Sequence, residues 1–194
     1  MTSSPAVESF EEARRRHLIQ ATIETLGEVG FRAASLSEIA RRAKVSTGLF
    51  AHYFGDKDGL LEATLRFMAG SLTRETAAGL RAATTRRERL FAVSDAALSD
   101  DQFESRTSAV WLAFWGQLTH SGRYKRVQRI YQRRMTSNLK HGLRGMVAPD
   151  CVVAYSAMIA AMIDGVWLRS HIADGAFRSD GSSARALVRS FIHG

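Results

Sequence analysis

Cysteine is almost absent from this chain of 194 residues. Cys151 stands alone, so no intrachain disulfide and no cysteine-based metal cluster can form. Proline occurs only at Pro5 and Pro149, which leaves long stretches rich in Ala, Leu, Arg and Glu free to run as helix. No run of alternating β-branched residues bounded by hairpin turns is present, which argues against a sheet. The first ten residues, M-T-S-S-P-A-V-E-S-F, lack a charged start followed by an apolar core, so no secretory signal is expected. Long hydrophobic runs are also lacking. The most apolar segment, 152–168, falls short of the roughly 18–20 residues a bilayer needs and is interrupted by Asp164. These absences predict a soluble, cytoplasmic, all-α protein that does not span a membrane.

The net charge of +8 is less informative than it looks. Residues 1–70 hold nine basic and nine acidic side chains and are neutral, whereas 71–194 hold eighteen and ten. The surplus lies mainly in a helix predicted over 123–145, which carries eight Lys or Arg and no acidic residue. That helix could track DNA or an acidic partner, or simply present a solvated face. The local placement of Arg14, Arg15, Arg16, Arg41, Arg42 and Lys57 points better to nucleic acid than the overall charge does.

The helical pattern begins after an arm at residues 1–8, expected to be flexible. Ser9-x-x-Glu12 reads as a capping box opening a helix to about Val29, with Gly30 as its stop. Ser35-x-x-Glu38 is a second capping box, and Leu36, Ile39, Ala40 and Ala43 give the following short helix one apolar face. Ser46 caps a further short helix that ends before Gly55, and Asp56 caps a long one from Lys57 to about Leu80. Helices are then predicted over about 86–98, 104–120, 123–145, 150–173 and 182–193, with loop signals at 174–175 and 179–181. That makes about nine helices.

Two short helices joined by the tight turn Lys44-Val45 describe a helix-turn-helix, although an ordinary helical hairpin fits the same pattern. In the DNA-reading version the second helix enters the major groove by its N-terminal end. That end carries Ser46, Thr47 and Gly48, which are small or hydroxylated and can approach base or phosphate closely. Leu49, Ala51 and His52 come next on the side expected to be exposed. Val45, Phe50 and Phe54 are placed to pin the helix, and Lys57 suits a phosphate.

The second half holds A-V-W-L-A-F-W-G and A-M-I-D-G-V-W-L-R. Trp111 and Trp115 are four apart, and Asp164 and Trp167 three apart, so each pair shares a helix face. A lone carboxylate in an apolar helix is costly to bury without a partner. That partner could be Arg169, a base of the preceding helix, or a bound cation. Tryptophan faces beside a carboxylate would suit a quaternary ammonium, which has no proton to donate. Bulky core with a locally bonded Asp164 is the plainer alternative.

The stretch A-x-x-A-x-V-S-x-G-x-x-x-x-Y-F-x-x-K, from Ala40 to Lys57, resembles the DNA-binding signature of the TetR family. It departs at Lys44, where glycine is usual, and at Ala51, where tyrosine is frequent. R-R-R-x-L-I-x-A-T at 14–22, V-S-T-G at 45–48, H-Y-F-G-D-K-D-G-L-L-E-A-T at 52–64, W-L-A-F-W at 111–115 and I-D-G-x-W-L-R at 163–169 resemble the BetI-type branch of that family. The resemblance implies a homodimeric transcriptional repressor of choline uptake and glycine betaine synthesis, with a palindromic double-stranded DNA operator and choline as effector. It implies a helix-turn-helix domain over 9–56 and a ligand-binding and dimerisation domain over 57–194. The dimer is expected to pair the helices of 150–173 and 182–193.

The residues assigned to DNA are Ser46, Thr47, Gly48, Leu49, His52, Tyr53 and Lys57, with Arg42 and Arg16. Those assigned to the effector are Trp111, Trp115, Asp164 and Trp167. No cofactor or metal is expected. Another lipophilic cation, a drug or dye, is the alternative effector. A small all-α enzyme built on Asp164, Ser170 and His171 is the remaining alternative, and no catalytic motif supports it.

Overall fold

The computed structural model describes residues 5–172 and 180–193. The loop signals at 174–175 and Ser179, and residues 1–4 of the expected arm, lie outside them. Among the described residues the chain is helical throughout and has no strand. It forms two compact units: residues up to Met68 with Ser105–Val127, and Ala69–Glu104 with the residues from Gln128 onward.

In the first unit, α1 spans Pro5–Ala33, starting ahead of the Ser9 cap expected from sequence. Gly30, at φ 74° and ψ 176°, breaks its helical path near the predicted stop. Leu18, Ala21 and Leu26 are buried on it, and so are Thr22 and Thr25. The threonine hydroxyls donate to the carbonyls of Leu18 and Ala21 at 2.8 and 2.7 Å, which satisfies them without a distant partner. α7 (Ser105–Trp115) packs along α1. A Cβ on Gly27 would sit 2.4 Å from Arg106 Cγ, so the two helices approach through that glycine. Phe31, Phe114 and Tyr124 close this end edge to face, with centroids 5.5–6.5 Å apart. Tyr124 also donates to Asp58 at 3.4 Å. Burial and that carboxylate raise its phenol well above the usual value.

α2 (Leu36–Ala43) and α3 (Thr47–Phe54) follow the predicted bounds. Ser35 Oγ accepts from the Glu38 N–H at 3.1 Å. The reciprocal half of the box is not made, because the Glu38 carboxylate pairs with Arg41 instead. Leu18, Ala21, Ile39, Ala40, Ala43, Phe50 and Leu60 form a buried cluster that locks α2, α3 and the start of α4 (Lys57–Ala82) onto α1. Gly55, at φ 79°, ends α3, and Asp56 caps α4 by accepting from the Gly59 N–H at 2.6 Å.

Lys44 is the only non-glycine residue with positive φ among those described, at φ 55° and ψ 45°. This is the turn position where the sequence departs from glycine, and a Cβ there costs about 1–2 kcal/mol. Lys44→Gly is expected to stabilise the protein by about 0.5–1 kcal/mol, the gain being cut by glycine's larger unfolded-state entropy. Urea unfolding checks this; a lower midpoint for the glycine variant contradicts it.

In the second unit, α5 (Arg86–Ala97) opens on a complete capping box between Thr85 and Glu88, which the sequence reading overlooked. Hydrogen bonds from Thr84 and Thr85 hold the Glu88 carboxyl below its usual pKa. A single turn, α6 (Asp100–Phe103), precedes α7. α7 ends at Trp115, short of the predicted 120, because Gly116 opens a run of tighter turns: Gln117 N–H reaches back three residues to Phe114. α8 spans Gly122–Leu143, and a 3-10 turn at Pro149–Cys151 leads into α9, Val152–Ile172. Pro149–Ile172 is thus 24 residues long, enough by length and composition to cross a membrane. α10 (Gly181–His193) is clamped to α5 and α6. Arg185 donates to the Leu98 carbonyl at 2.7 Å and to Asp100 at 3.1 Å, and Arg189 forms a two-pronged pair with Asp95.

Candidate functional site

The helix-turn-helix presents two faces of different character. Ser46, Thr47, Gly48 and His52 are exposed. Ser46 makes no side-chain cap bond, so its hydroxyl is not used to close α3. Leu49 and Tyr53 are half-buried and pack against the apolar cluster, and Leu49 does not stand on the exposed side as the sequence suggested. Val45 and Phe54 pack there too, and Phe50 is at its centre, as expected. Lys57 is the half-buried first residue of α4, beside the end of α3.

The arginines divide by partner. Arg42 forms a two-pronged pair with Glu28 of α1 and lies 4.0 Å from Glu24. That pair lowers the Glu28 carboxyl and raises the guanidinium. A phosphate contact by Arg42 would have to share it with Glu28. Arg15 donates to the Tyr53 carbonyl at 2.6 Å and stacks over Phe54 at 4.7 Å, and so ties α1 to the C-terminal end of α3. Carbonyls at that end lack helical partners, so a cation suits them. His17 Nε2 meets the Ala43 carbonyl at 3.0 Å and closes α2 in the same way. Sequence reasoning missed both positioning roles, because a triplet of arginines reads alike at every member. Arg16 is exposed.

Gly48 is informative by default. A Cβ there would meet nothing nearer than Ser46 Oγ at 4.0 Å. Its own chain does not require glycine in the first turn of α3, yet glycine weakens a helix by about 1 kcal/mol relative to alanine. Gly48→Ala is therefore expected to raise stability by about 0.5–1 kcal/mol. It should also weaken operator binding if the backbone approaches DNA there. Paired melting and gel-shift titrations check both, and unchanged DNA affinity would contradict a close approach.

The four residues assigned to the effector fall in both units. Trp111, buried, and Trp115, half-buried, belong to α7 of the first. Asp164 and Trp167 belong to α9 of the second. Trp167 is buried; its indole N–H donates to the Gln102 carbonyl at 3.0 Å, and His171 packs on its ring with centroids 4.4 Å apart. Asp164 makes no hydrogen bond or ion pair among the described residues, so the arginine partner suggested from sequence is not formed. Burial alone raises its pKa to about 6. Ser170 donates to the Val166 carbonyl and His171 Nδ1 meets the Trp167 carbonyl, so the two are engaged with their own helix. No group of three His, Cys, Asp or Glu among the described residues is placed to hold a metal.

A cavity of about 310 Å³ opens between α4 and α8 within the second unit. Tyr131 lines it, and none of the four assigned residues does. A tyrosine on the strongly basic helix carries no separate signal in the sequence.

Residues 18–64 match the family described as bacterial regulatory proteins, tetR family. Residues 83–194 match the family described as BetI-type transcriptional repressor, C-terminal. The chain is 40% identical over 184 residues to the HTH-type transcriptional regulator BetI of Burkholderia thailandensis, covering 94% of this chain and 93% of that protein. It is 40% identical over 163 residues to the regulator of the same name from Rhizobium meliloti, covering 84% and 80%. A transcriptional regulator from Pseudomonas aeruginosa PAO1 has a similar crystal structure, with a TM-score of 0.82, 26% identity and coverage of 95% and 90%. A regulator from Saccharomonospora viridis, solved in complex with choline, shares the fold with a TM-score of 0.79 at 17% identity, over 94% and 96% of the two chains.

Proposed function

The chain belongs to the BetI-type branch of the TetR family and is a DNA-binding transcriptional repressor rather than an enzyme, and on that premise we propose that it represses genes of choline uptake and glycine betaine synthesis and that choline is its effector. The observation that carries the effector is Asp164, a half-buried carboxylate without a cation partner among the described residues, three residues from Trp167. A quaternary ammonium supplies the missing charge and needs no acceptor in return. Asp164 is the counter-charge in this reading, and Trp167, on the same helix, is its aromatic candidate. The choline complex of the Saccharomonospora viridis regulator supports the same ligand class.

Ser46, Thr47, Gly48 and His52 read the operator, with Leu49 and Tyr53 holding that face in place. Lys57 and Arg16 neutralise phosphates, and Arg42 contributes while paired to Glu28. The DNA-reading part ends at about residue 56, and the rest senses and dimerises. Val153, Tyr155 and Met158 of α9 and Leu187 and Phe191 of α10 are exposed apolar residues, which supports a homodimer paired through these two helices. The two recognition helices then sit roughly 34–36 Å apart on a palindrome. Such a dimer covers the apolar side of α9 without a membrane, and the protein acts in the cytoplasm.

Titrating tryptophan fluorescence with choline, betaine aldehyde and a panel of lipophilic cations tests the effector. Quenching or enhancement by choline at lower concentration than by the panel is expected; a choline-blind protein that answers to a dye sinks the proposal. For the head, Lys57→Ala is expected to weaken all DNA sequences alike and to reduce the salt slope by about one unit. An unchanged slope removes Lys57 from the phosphates.

A further inference from the structure

The start of α8 stands against the DNA-reading head. Tyr124 and Val127, three apart, are the buried side of its first turns. Tyr124 packs edge to face on Phe31 and Phe114 and donates to Asp58 in the first turn of α4. With that side fixed inward, Arg123 and Arg126 share another side of the helix, and both are exposed. The Arg123 guanidinium lies 3.5 Å from the Asp56 carboxylate. All of these residues belong to the first unit, so Arg123 and the reading helix α3 are parts of one compact body.

Asp56 poses an electrostatic problem for DNA. It caps α4 by accepting from the Gly59 N–H, and it directly precedes Lys57. The N–H groups of a first helical turn attract a phosphate, and an exposed carboxylate beside them repels it. Arg123 offsets that negative charge. Arg126 adds a second cation, which has no ion-pair partner among the described residues. The Arg123 and Asp56 side chains are 51% and 63% exposed, so their pair adds little to folding. A planar guanidinium fork suits phosphate oxygens.

We propose that Arg123 and Arg126 are DNA contacts that continue the phosphate-binding edge beginning at Lys57, so that the repressor holds its duplex with helix α8 as well as with the helix-turn-helix. The partner is the DNA backbone, and the contact adds affinity without choosing bases. This rests on the placement of Lys57 at a phosphate. An acidic protein segment is the other occupant such arginines could take; the contact with the cap of α4, next to the recognition helix, favours DNA.

Fluorescence-anisotropy titration over a salt series tests this on the full chain, with a labelled duplex of its own upstream DNA and a scrambled duplex of equal length. Arg123→Ala and Arg126→Ala are each expected to lower the salt slope by about one unit, and the double variant by about two, on both duplexes. Melting temperatures should stay close to wild type, because neither side chain is buried. Asp56→Asn keeps a capping residue and removes the carboxylate. Loss of slope on Arg123→Ala that persists in the Asp56→Asn background supports direct contact. An effect of Arg123→Ala that vanishes in that background shows action through Asp56 only and overturns the assignment. A double variant with the wild-type slope, beside a Lys57→Ala variant whose slope falls, overturns the assignment alone. An unchanged slope in Lys57→Ala and in the double variant overturns the Lys57 placement as well. A double variant that loses affinity for a polyglutamate peptide while its DNA slope is unchanged gives this face to an acidic protein and overturns the DNA assignment.

Discussion

Asp164→Asn is expected to raise the stability of the ligand-free protein and to remove most of its affinity for choline. The two effects have one cause. In the folded chain the carboxyl is half-buried, without a partner among the described residues, and its pKa is about 6 against the usual 3.8. A two-unit rise corresponds to at most about 3 kcal/mol of charge penalty. Residual solvent contact reduces this to about 1–2 kcal/mol. Asparagine keeps the shape and carries no charge, so it recovers that amount. The ligand loses its counter-charge, which at an effective dielectric near 20 and a separation of about 5 Å is worth about 3 kcal/mol, or roughly a hundredfold in affinity. Thermal melting and titration calorimetry read the two effects separately. A variant that is no more stable and binds choline as wild type does would falsify the buried-charge account.

The pH dependence follows with a definite sign. Asp164 is harder to ionise in the folded state than in the unfolded state. Its contribution to stability is therefore best below the unfolded pKa near 3.8, declines as pH rises toward about 6, and is constant above that. With Asp164 as the proposed counter-charge, choline binding is expected to have the opposite slope, because it then needs the ionised form. Affinity should be flat above about pH 6 and fall by up to tenfold per unit below it. Asp164→Asn should flatten that profile. A wild-type affinity that is independent of pH between 5 and 8 argues for a neutral site.

Phe50→Ala is expected to cost about 3–5 kcal/mol and to abolish operator binding. Phe50 is fully buried at the centre of the cluster formed with Leu18, Ile39 and Leu60, and its ring stacks on Phe54 at 6.5 Å. Helices α2 and α3 have eight residues each, too few to be stable alone. They persist because this side chain and its neighbours hold them against α1 and α4. The cost is a large share of a typical total stability of about 5–15 kcal/mol. Chemical unfolding followed by circular dichroism, alongside gel shifts, checks it. An unchanged unfolding midpoint with intact DNA binding contradicts the role of the ring.

The helix starts at Ser35, Ser46 and Asp56, the stops at Gly30 and Gly55, the apolar face of α2 and the absence of strands among the described residues were all legible in the sequence. Caps, glycine stops and helical periodicity act within a few residues, so their physics is written locally. The Lys44 turn shows where that reading becomes quantitative: sequence marks a departure from glycine, and the structure gives it a left-handed φ of 55°. Charged and polar partners were a different matter. Arg14, Arg15 and Arg16 are chemically identical, and only packing makes Arg15 the one that holds the Tyr53 carbonyl. Arg42 reads as free for phosphate in the sequence, whereas in the fold it pairs with Glu28, fourteen residues earlier. The sequence by itself determined that this chain is helical, carries a DNA-reading motif at its start and holds an odd carboxylate near its end. Tertiary structure alone decided which charges are neutralised within the chain, because ion pairing depends on distances of a few ångströms between residues whose separation along the chain carries no such information.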